Sequence, residues 1–225
     1  MTKRRLFLTF VAVCFFAHPV KSQHSKHHIG IEGGYFRITN DKFENPFTGL
    51  SLRNNGIGGI HYRFTVGGVV DLVLQARQTF ASDSFEVIYF PGYPASQLLD
   101  VQGKLSNTFL GAGFRLNAPV SHLRPYLQGN LYFVRQKLDT EKYNIVVKDD
   151  ENTLGIGAAA GIEIFISRMI SIPFEFYIAN ANFPEKYILL TDTNGYIVGY
   201  IPNAGIDISG FGISVGLTFN FGRMP

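Results

Sequence analysis

Ile208-Ser-Gly-Phe-Gly-Ile-Ser-Val-Gly-Leu-Thr-Phe-Asn-Phe221 is the stretch of this chain that decides its fold. From Phe211 onward every second residue is large and apolar, whereas the residues between are small or polar. An alternation of period two puts the two sets on opposite faces of one β-strand. The run is long enough to cross a lipid bilayer at a tilt, which takes about 9 to 11 residues.

Seven further segments alternate in the same way, and the connections between the eight segments alternate between short turns and long loops. Three short turns and four long loops, with both chain ends on the short-turn side, are typical of a membrane-spanning barrel. We therefore predict an all-β fold, an eight-stranded antiparallel up-and-down transmembrane β-barrel. The seven segments are Ile29–Ile38, Gly56–Thr65, Val69–Phe80, Leu105–Leu116, Arg124–Lys137, Leu154–Ile166 and Ile170–Ala181.

The two faces of these segments differ consistently in polarity. One face is apolar throughout, as a lipid-facing surface requires, whereas the outward face of a soluble barrel would be polar. The opposite face carries glycines together with polar and charged residues, including His61 and Arg77, and predicts a polar lumen. The apolar face includes Ile60, Tyr62, Phe64, Leu110, Phe114, Leu127, Leu131, Ile162, Phe174 and Phe176.

Charged residues on the lumenal face are predicted to form a plug. Eight strands enclose a space that side chains can just fill, and buried charges need partners. Four acids and two bases near the periplasmic ends of their strands therefore predict one level of ion pairs, and the alternative is a gate or proton path formed by the same residues. These residues are Glu32, Arg63, Asp71, Arg115, Glu163 and Glu175.

Two arginines, Arg37 and Arg135, fall on the lipid-facing parity near the external ends of their strands. Arginine at such a position ordinarily extends its charged head to the membrane interface. The alternative is a contact with the phosphates of the outer-leaflet glycolipid, because guanidinium pairs well with phosphate.

The first 22 residues are predicted to be a secretory signal peptide, which leaves residues 23–225 as a single barrel domain. Lys3, Arg4 and Arg5 precede the apolar run from Leu6 to Ala17, which is too short for a membrane helix. Four of the 20 basic residues and none of the 17 acidic residues lie in this leader, so the remainder has 16 bases against 17 acids. This balance argues against nucleic-acid binding.

Neither a metal nor a cofactor is predicted. The only cysteine lies in the leader, so the mature chain has no thiolate ligand. His24, His27 and His28 lie close together near the predicted mature N-terminus, but no carboxylate or cysteine adjoins them. We interpret them as a solvated tail rather than a metal site, and His61 as a hydrogen-bonded lumenal residue.

Segments such as Arg124-Pro-Tyr-Leu-Gln-Gly-Asn-Leu-Tyr132 and Gly155-Ile-Gly-Ala-Ala-Ala-Gly-Ile-Glu-Ile-Phe165 resemble strands of the OmpA/OmpX-like outer-membrane β-barrel family. The end of the quoted strand is similar to the terminal assembly signal of such barrels, with Ser214, Gly216, Phe219 and Phe221 at the positions of that signal. The resemblance implies residence in the outer membrane of a Gram-negative-type bacterium. It also implies contact with outer-membrane lipid and lipopolysaccharide, and recognition by the barrel-assembly machinery.

The favoured function is an envelope-structural or loop-mediated binding role without catalysis, carried out by a monomer. The alternatives are an accessory barrel of a secretion system, resembling PorT-like proteins, and a small-solute porin. A lipid A-modifying enzyme is a minor alternative. The deacylase family resembling PagL uses a His-x-Ser pair on one strand, but His61-Tyr62-Arg63 and His122-Leu123-Arg124 do not match that pattern.

The long loops are the predicted binding surface. Asn194-Gly195 between two β-prone runs predicts a hairpin in the fourth loop. Tyr143–Lys148 in the third loop is also strand-like, and these runs are expected to extend the barrel as a sheet with an edge for a partner strand. The second loop, with the aromatic run Phe85–Pro94, is expected to pack on the other loops or to form an exposed patch.

Overall fold

The computed structural model describes residues 25–39, 54–92, 95–118, 122–142, 145–184, 188–192, 194–201 and 208–223. The predicted signal peptide and His24 lie outside these ranges. Within them, no helix is long and apolar enough to cross a membrane. The strands are β1 Ser25–Ile38, β2 Asn54–Val66, β3 Val70–Gly92, β4 Ala95–Asn117, β5 Leu123–Lys142, β6 Ile145–Phe165, β7 Ile170–Ala181, β8 Ile188–Asp192, β9 Ile197–Ile201 and β10 Ile208–Arg223.

Eight of these strands, β1 to β7 and β10, form a closed antiparallel barrel. Each strand pairs with its neighbour in the chain, except that β7 pairs directly with β10. The quoted strand, β10, closes the barrel on β1 with a register running from Ser25↔Arg223 to Ile38↔Gly210. The predicted fold class is confirmed, and the closure leaves no barrel edge unpaired in the bilayer.

Four strands, β3 to β6, are much longer than predicted. The segment that contains Phe85, interpreted above as a loop, belongs to β3, so that interpretation was wrong. The β3–β4 hairpin pairs as far as Gly92↔Ala95, and the β5–β6 hairpin as far as Lys142↔Ile145. In both hairpins β-prone runs flank a short connection, so the runs pair with each other and continue the barrel outward.

The fourth loop contains the predicted hairpin, formed by β8 and β9. Gly195 in its turn has a positive φ of 85°, which glycine adopts without strain. The Asp192 carboxylate accepts hydrogen bonds from the backbone N–H groups of Asn194 (2.9 Å) and Tyr196 (2.8 Å). Strand β9 pairs with β3, and β8 pairs with β6. The hairpin therefore completes a smaller external ring, β3-β4-β5-β6-β8-β9, beyond the membrane barrel.

Along β5 the polarity of the two faces inverts, and the inversion marks the external membrane boundary. Outward residues change from the exposed apolar Leu131 and Phe133 to Arg135 and Lys137, while inward residues change from Asn130 to Leu138. Below the boundary the outside is lipid, so the barrel is apolar outside and polar inside. Above it the outside is water, so a polar exterior surrounds an apolar core, as in a soluble protein.

The hydrophobic core also extends below this boundary into the membrane-spanning lumen, which corrects the prediction of a polar lumen. Phe36 stacks on Tyr177 at 5.6 Å between ring centroids, and Phe109 contacts Tyr132 edge-on at 5.6 Å. Glycine makes room for these rings, because a Cβ at Gly157 would lie 2.6 Å from Tyr132 Cε2. The other members of this core include Ile38, Ile57, Leu105, Val134, Leu138, Ala179, Phe183, Leu190 and Ile208.

Candidate functional site

The lumen near the short-turn end contains the periplasmic cluster, which we define as Arg63, Asp71, Arg115 and Glu163. Glu163 is fully buried and lies at its centre. Arg63 binds it through both terminal nitrogens, at 2.7 and 3.0 Å, and Arg115 donates from Nη2. The Ser171 hydroxyl donates to Glu163 as well, at 2.6 Å, and Asp71 lies 3.5 Å from Arg63. One carboxylate therefore holds two guanidinium groups in place.

A second group, the mid-barrel cluster, consists of Glu32, Arg77 and Glu175. Arg77 donates from Nε to Glu32 at 2.6 Å and from Nη2 to both Glu32, at 3.0 Å, and Glu175. Gly59 in β2 makes this geometry possible, because a Cβ at this position would lie 2.9 Å from Glu32 Oε1 and 3.0 Å from Arg77 Cγ. The pair therefore passes over β2 from β1 to β3.

Tyr126 joins the two clusters. Its hydroxyl donates to Glu175 Oε2 at 3.1 Å, and its ring lies 3.4 Å from the Arg115 guanidinium carbon. A guanidinium against an aromatic face gains cation–π attraction, and the attraction is stronger where water is excluded. The network therefore continues from the periplasmic end to the middle of the barrel.

The structure places all six predicted plug residues in the lumen, but in two clusters rather than at one level. Arg77, which was recognised as lumenal but left out of the plug, is the base of the mid-barrel cluster. Tyr126 was also missed, although its parity with Gln128 could have placed it in the lumen. The level of a residue depends on the stagger between strands, which local alternation does not specify.

The histidine prediction was wrong for His27 and His28, because β1 begins at Ser25 and includes both. His28 is buried and lies 2.6 Å from Asn220 Oδ1 and 2.8 Å from Thr65 Oγ1. The lumenal His61 lies 3.2 Å from the Thr218 hydroxyl. In the part of the chain that the structure describes, no group of three or more His, Cys, Asp or Glu residues could hold a metal ion.

The two outward arginines lie on strands four apart in the eight-stranded barrel, so they cannot bind the same phosphate. Arg135 donates to Asp150 from Nε at 2.7 Å and also from Nη2. These hydrogen bonds lower the pKa of the exposed Asp150 carboxyl below its ordinary value. Arg37 is exposed near the end of β1. A glycolipid contact by either arginine stays a prediction.

Residues of the terminal assembly signal occupy both faces of β10. Phe219 and Phe221 are exposed on the lipid-facing side, and Phe221 stacks on His27 with ring centroids 5.5 Å apart. Ser214 faces the lumen, 3.3 Å from Glu32 Oε2, and a Cβ at Gly216 would lie 2.6 Å from the Ile31 carbonyl oxygen. Their role in assembly stays a prediction.

In the external ring, β4 is one of three strands whose described pairing leaves an edge uncovered; the others are β3 at Ala81–Val87 and β6 at Val147–Leu154. Strand β4 pairs with β3 up to Gly92↔Ala95, but its pairing with β5 stops at Gly103↔Thr140. The β4 edge, which we define as Ala95–Gln102, therefore has a strand on one side, and the described chain places none on the other. The partner edge expected on the fourth-loop hairpin is instead covered by β3 and β6.

Sequence comparison places this barrel in a known family. The family model for the outer membrane protein beta-barrel domain matches residues 8–219. The chain belongs to that family. Its members reside in the outer membrane of Gram-negative bacteria, which agrees with the lipid-facing surface described above. No curated protein matches the sequence at a significant level.

Two solved structures show the same fold. The outer membrane protein OprG from Pseudomonas aeruginosa superposes with a TM-score of 0.58 at 10% identity, over 89% of this chain and 98% of that one. Neisserial surface protein A (NspA) gives a TM-score of 0.51 at 13% identity, over 87% and 97%. At such low identity these outer-membrane barrels share the fold with this chain, and the likeness carries no function across.

Proposed function

We propose that this member of the outer membrane protein beta-barrel domain family is a sealed, non-catalytic membrane anchor that binds a protein partner at its external end. The partner adds an extended segment to the β4 edge. The observation that carries this proposal is the register of β4, which continues eight residues beyond its last pair with β5.

A sealed lumen supports binding over solute transport. The two ion-pair clusters fill the lower barrel, and the aromatic layer of Phe36, Phe109, Tyr132 and Tyr177 fills the level above. Eight strands enclose a space that is just wide enough for side chains. A solute would therefore have to displace both charged clusters and this apolar layer.

One buried group of three side chains resembles a catalytic triad, but its hydrogen bonds are better explained by a structural role. Asn220, His28 and Thr65 are the residue types of a nucleophilic triad, and they lie in hydrogen-bonding distance of one another in that order. However, the Thr65 hydroxyl donates to Asp71 at 2.7 Å, and the exposed fractions of all three side chains are 3% or less. A nucleophile needs a substrate within reach, and this arrangement encloses the hydroxyl.

The β4 edge has the properties of a strand-addition site. Its eight residues span about 26 Å at roughly 3.3 Å per residue, and an unpaired edge presents a row of free N–H and C=O groups. Neither lysine nor proline, which commonly protect natural edges, occurs within Ala95–Gln102, and Asp100 is its single charged residue. A partner strand would satisfy those groups by β-augmentation. The partner strand would run antiparallel to β4, as β5 does from Gly103 to Asn117.

Site-directed photo-crosslinking in intact cells tests this function. Benzoylphenylalanine placed at Leu98 and, separately, at Leu99 samples both faces of the β4 edge, because successive side chains alternate. We expect one discrete protein adduct from these positions. The matched control is the same residue at Lys137, on the outward face of β5, where we expect no adduct of that size.

Proline substitution then separates strand addition from ordinary surface contact. Proline has no N–H group, and the N–H groups of Asp100 and Val101 point to opposite edges of β4. We expect one of the two variants, Asp100→Pro or Val101→Pro, to lose the adduct while keeping the barrel's heat-modifiable migration on gels. If both variants keep the adduct, the partner does not bind by strand addition. An adduct that forms only from Leu189 on the β8–β9 hairpin would also contradict strand addition at the β4 edge.

A further inference from the structure

A small cavity in the lower lumen lies between the two ion-pair clusters. Its volume is about 10 Å³, counted as the space that the centre of a water molecule can occupy. The lining includes Arg63 and Arg115 of the periplasmic cluster, Glu32, Arg77 and Glu175 of the mid-barrel cluster, and Gln128. The cavity is therefore bordered by charged and polar groups of both clusters, together with the apolar Val73 and Pro173.

Two of these lining arginines have a buried nitrogen without a hydrogen-bond partner. They are Nε of Arg63 and Nη1 of Arg77, and the exposed fractions of the two residues are 1% and 4%. The other nitrogens of both groups are bound to carboxylates. A buried N–H group left unpaired costs roughly 1 to 3 kcal/mol, so two such groups at one cavity need an acceptor.

We propose that this cavity is a binding site for a single buried water molecule that accepts hydrogen bonds from Arg63 Nε and Arg77 Nη1. The water donates its own hydrogens to acceptors in the lining, among which are the carboxylates of Glu32 and Glu175 and the amide oxygen of Gln128. An internal water needs a volume of roughly 10 to 15 Å³ and two to four polar partners. The cavity is at the lower limit of that volume and offers those partners. The water adds a second link between the two clusters, beside that of Tyr126.

Charge balance favours water over a halide ion as the occupant. Within the described lumen, four buried arginines (Arg63, Arg77, Arg115 and Arg124) face four carboxylates (Glu32, Asp71, Glu163 and Glu175). The network is therefore already neutral. A halide would add an unbalanced negative charge to a site of low dielectric constant, and that is expensive.

A crystal structure at better than about 2 Å, from crystals grown with bromide, tests the proposal directly, since ordered water is then visible. We expect a density peak at hydrogen-bonding distance, about 2.7 to 3.2 Å, from both Arg63 Nε and Arg77 Nη1. We expect no anomalous bromide signal at the peak. An anomalous peak would assign the site to an anion, and a cavity without density would show that the two nitrogens lack this ligand; either result overturns the proposal.

A cavity-filling variant gives a second test in solution. Val73 lines the cavity and is buried, so Val73→Ile adds one methylene group where the water is placed. The matched control is Val134→Ile, which adds the same group in the apolar layer above. We expect Val73→Ile to lower the urea midpoint more than the control, since it also strips two N–H groups of their acceptor. Equal shifts, or a midpoint of the parent that rises when chloride replaces sulfate at constant ionic strength, would contradict the proposal.

Discussion

Glu163→Gln is expected to lower the free energy of unfolding by about 3 to 5 kcal/mol, the cost of removing one partner from a buried ion pair. The change keeps the volume of the side chain but removes the charge that holds Arg63 and Arg115. Both guanidinium groups would then depend on Asp71, which lies 3.5 and 4.0 Å from them. Urea unfolding followed by circular dichroism measures the effect, since the chain has no tryptophan for fluorescence.

The matched control is Asp150→Asn, which neutralises the carboxylate of the Arg135 ion pair on the outer surface. The side chains of that pair are 49% and 42% exposed, so water screens the interaction and the midpoint should hardly move. Arg115→Ala should resemble Glu163→Gln, because it leaves buried carboxylates underpaired. If the Glu163 and Arg115 variants unfold like the parent, the lumenal ion pairs do not hold the barrel together.

Leu138→Asn is expected to destabilise the external ring strongly. Leu138 is buried in the hydrophobic core above the membrane, and truncating a buried leucine costs about 2 to 5 kcal/mol. The amide adds a further cost of about 1 to 3 kcal/mol if it is buried without partners. Hydrogen exchange of β4, β5 and β6 should report faster opening of their external ends, and the urea midpoint should fall.

The neighbouring Asp139→Asn provides the control for the polarity inversion. Asp139 is the next residue on β5 and points outward into water, so the change should leave exchange and midpoint nearly unaltered. The result that would contradict the inversion is the reverse pattern, a tolerated Leu138→Asn with an altered stability in Asp139→Asn. That pattern would mean that lipid, rather than water, surrounds this part of β5.

The membrane barrel itself could be predicted from the sequence because its signal is local. Alternation along one strand shows which residues share a face. Apolar residues such as Leu127 and Leu131 identify the lipid-facing side without information from any other strand. The lumenal placement of Arg63, Asp71 and Glu163 followed from the same rule. Closure by pairing β10 with β1 followed from the need to leave no edge in lipid.

The parts that could not be predicted depend on relations between strands. The bond from Arg77 to Glu32 requires the register of three strands and a glycine, Gly59, between the two side chains. The sequence indicated the outward extension at Tyr143–Lys148 and at the fourth-loop hairpin, but it hid the extension of β3 and β4. A hairpin above the membrane lacks the apolar outward face that identified the spanning segments. His28 was misplaced for a related reason, since pairing with the end of β10 and with β2 orders the start of β1.

The placement of the functional surface at the external end depends on a lumen that does not conduct. The most direct test is single-channel recording of the purified protein in a planar lipid bilayer. Because the ion-pair clusters and the aromatic layer fill successive levels of the lumen, we expect no stepwise conductance at moderate voltage. Reproducible ohmic steps from the folded parent protein would contradict the sealed barrel and would assign the function to the lumen.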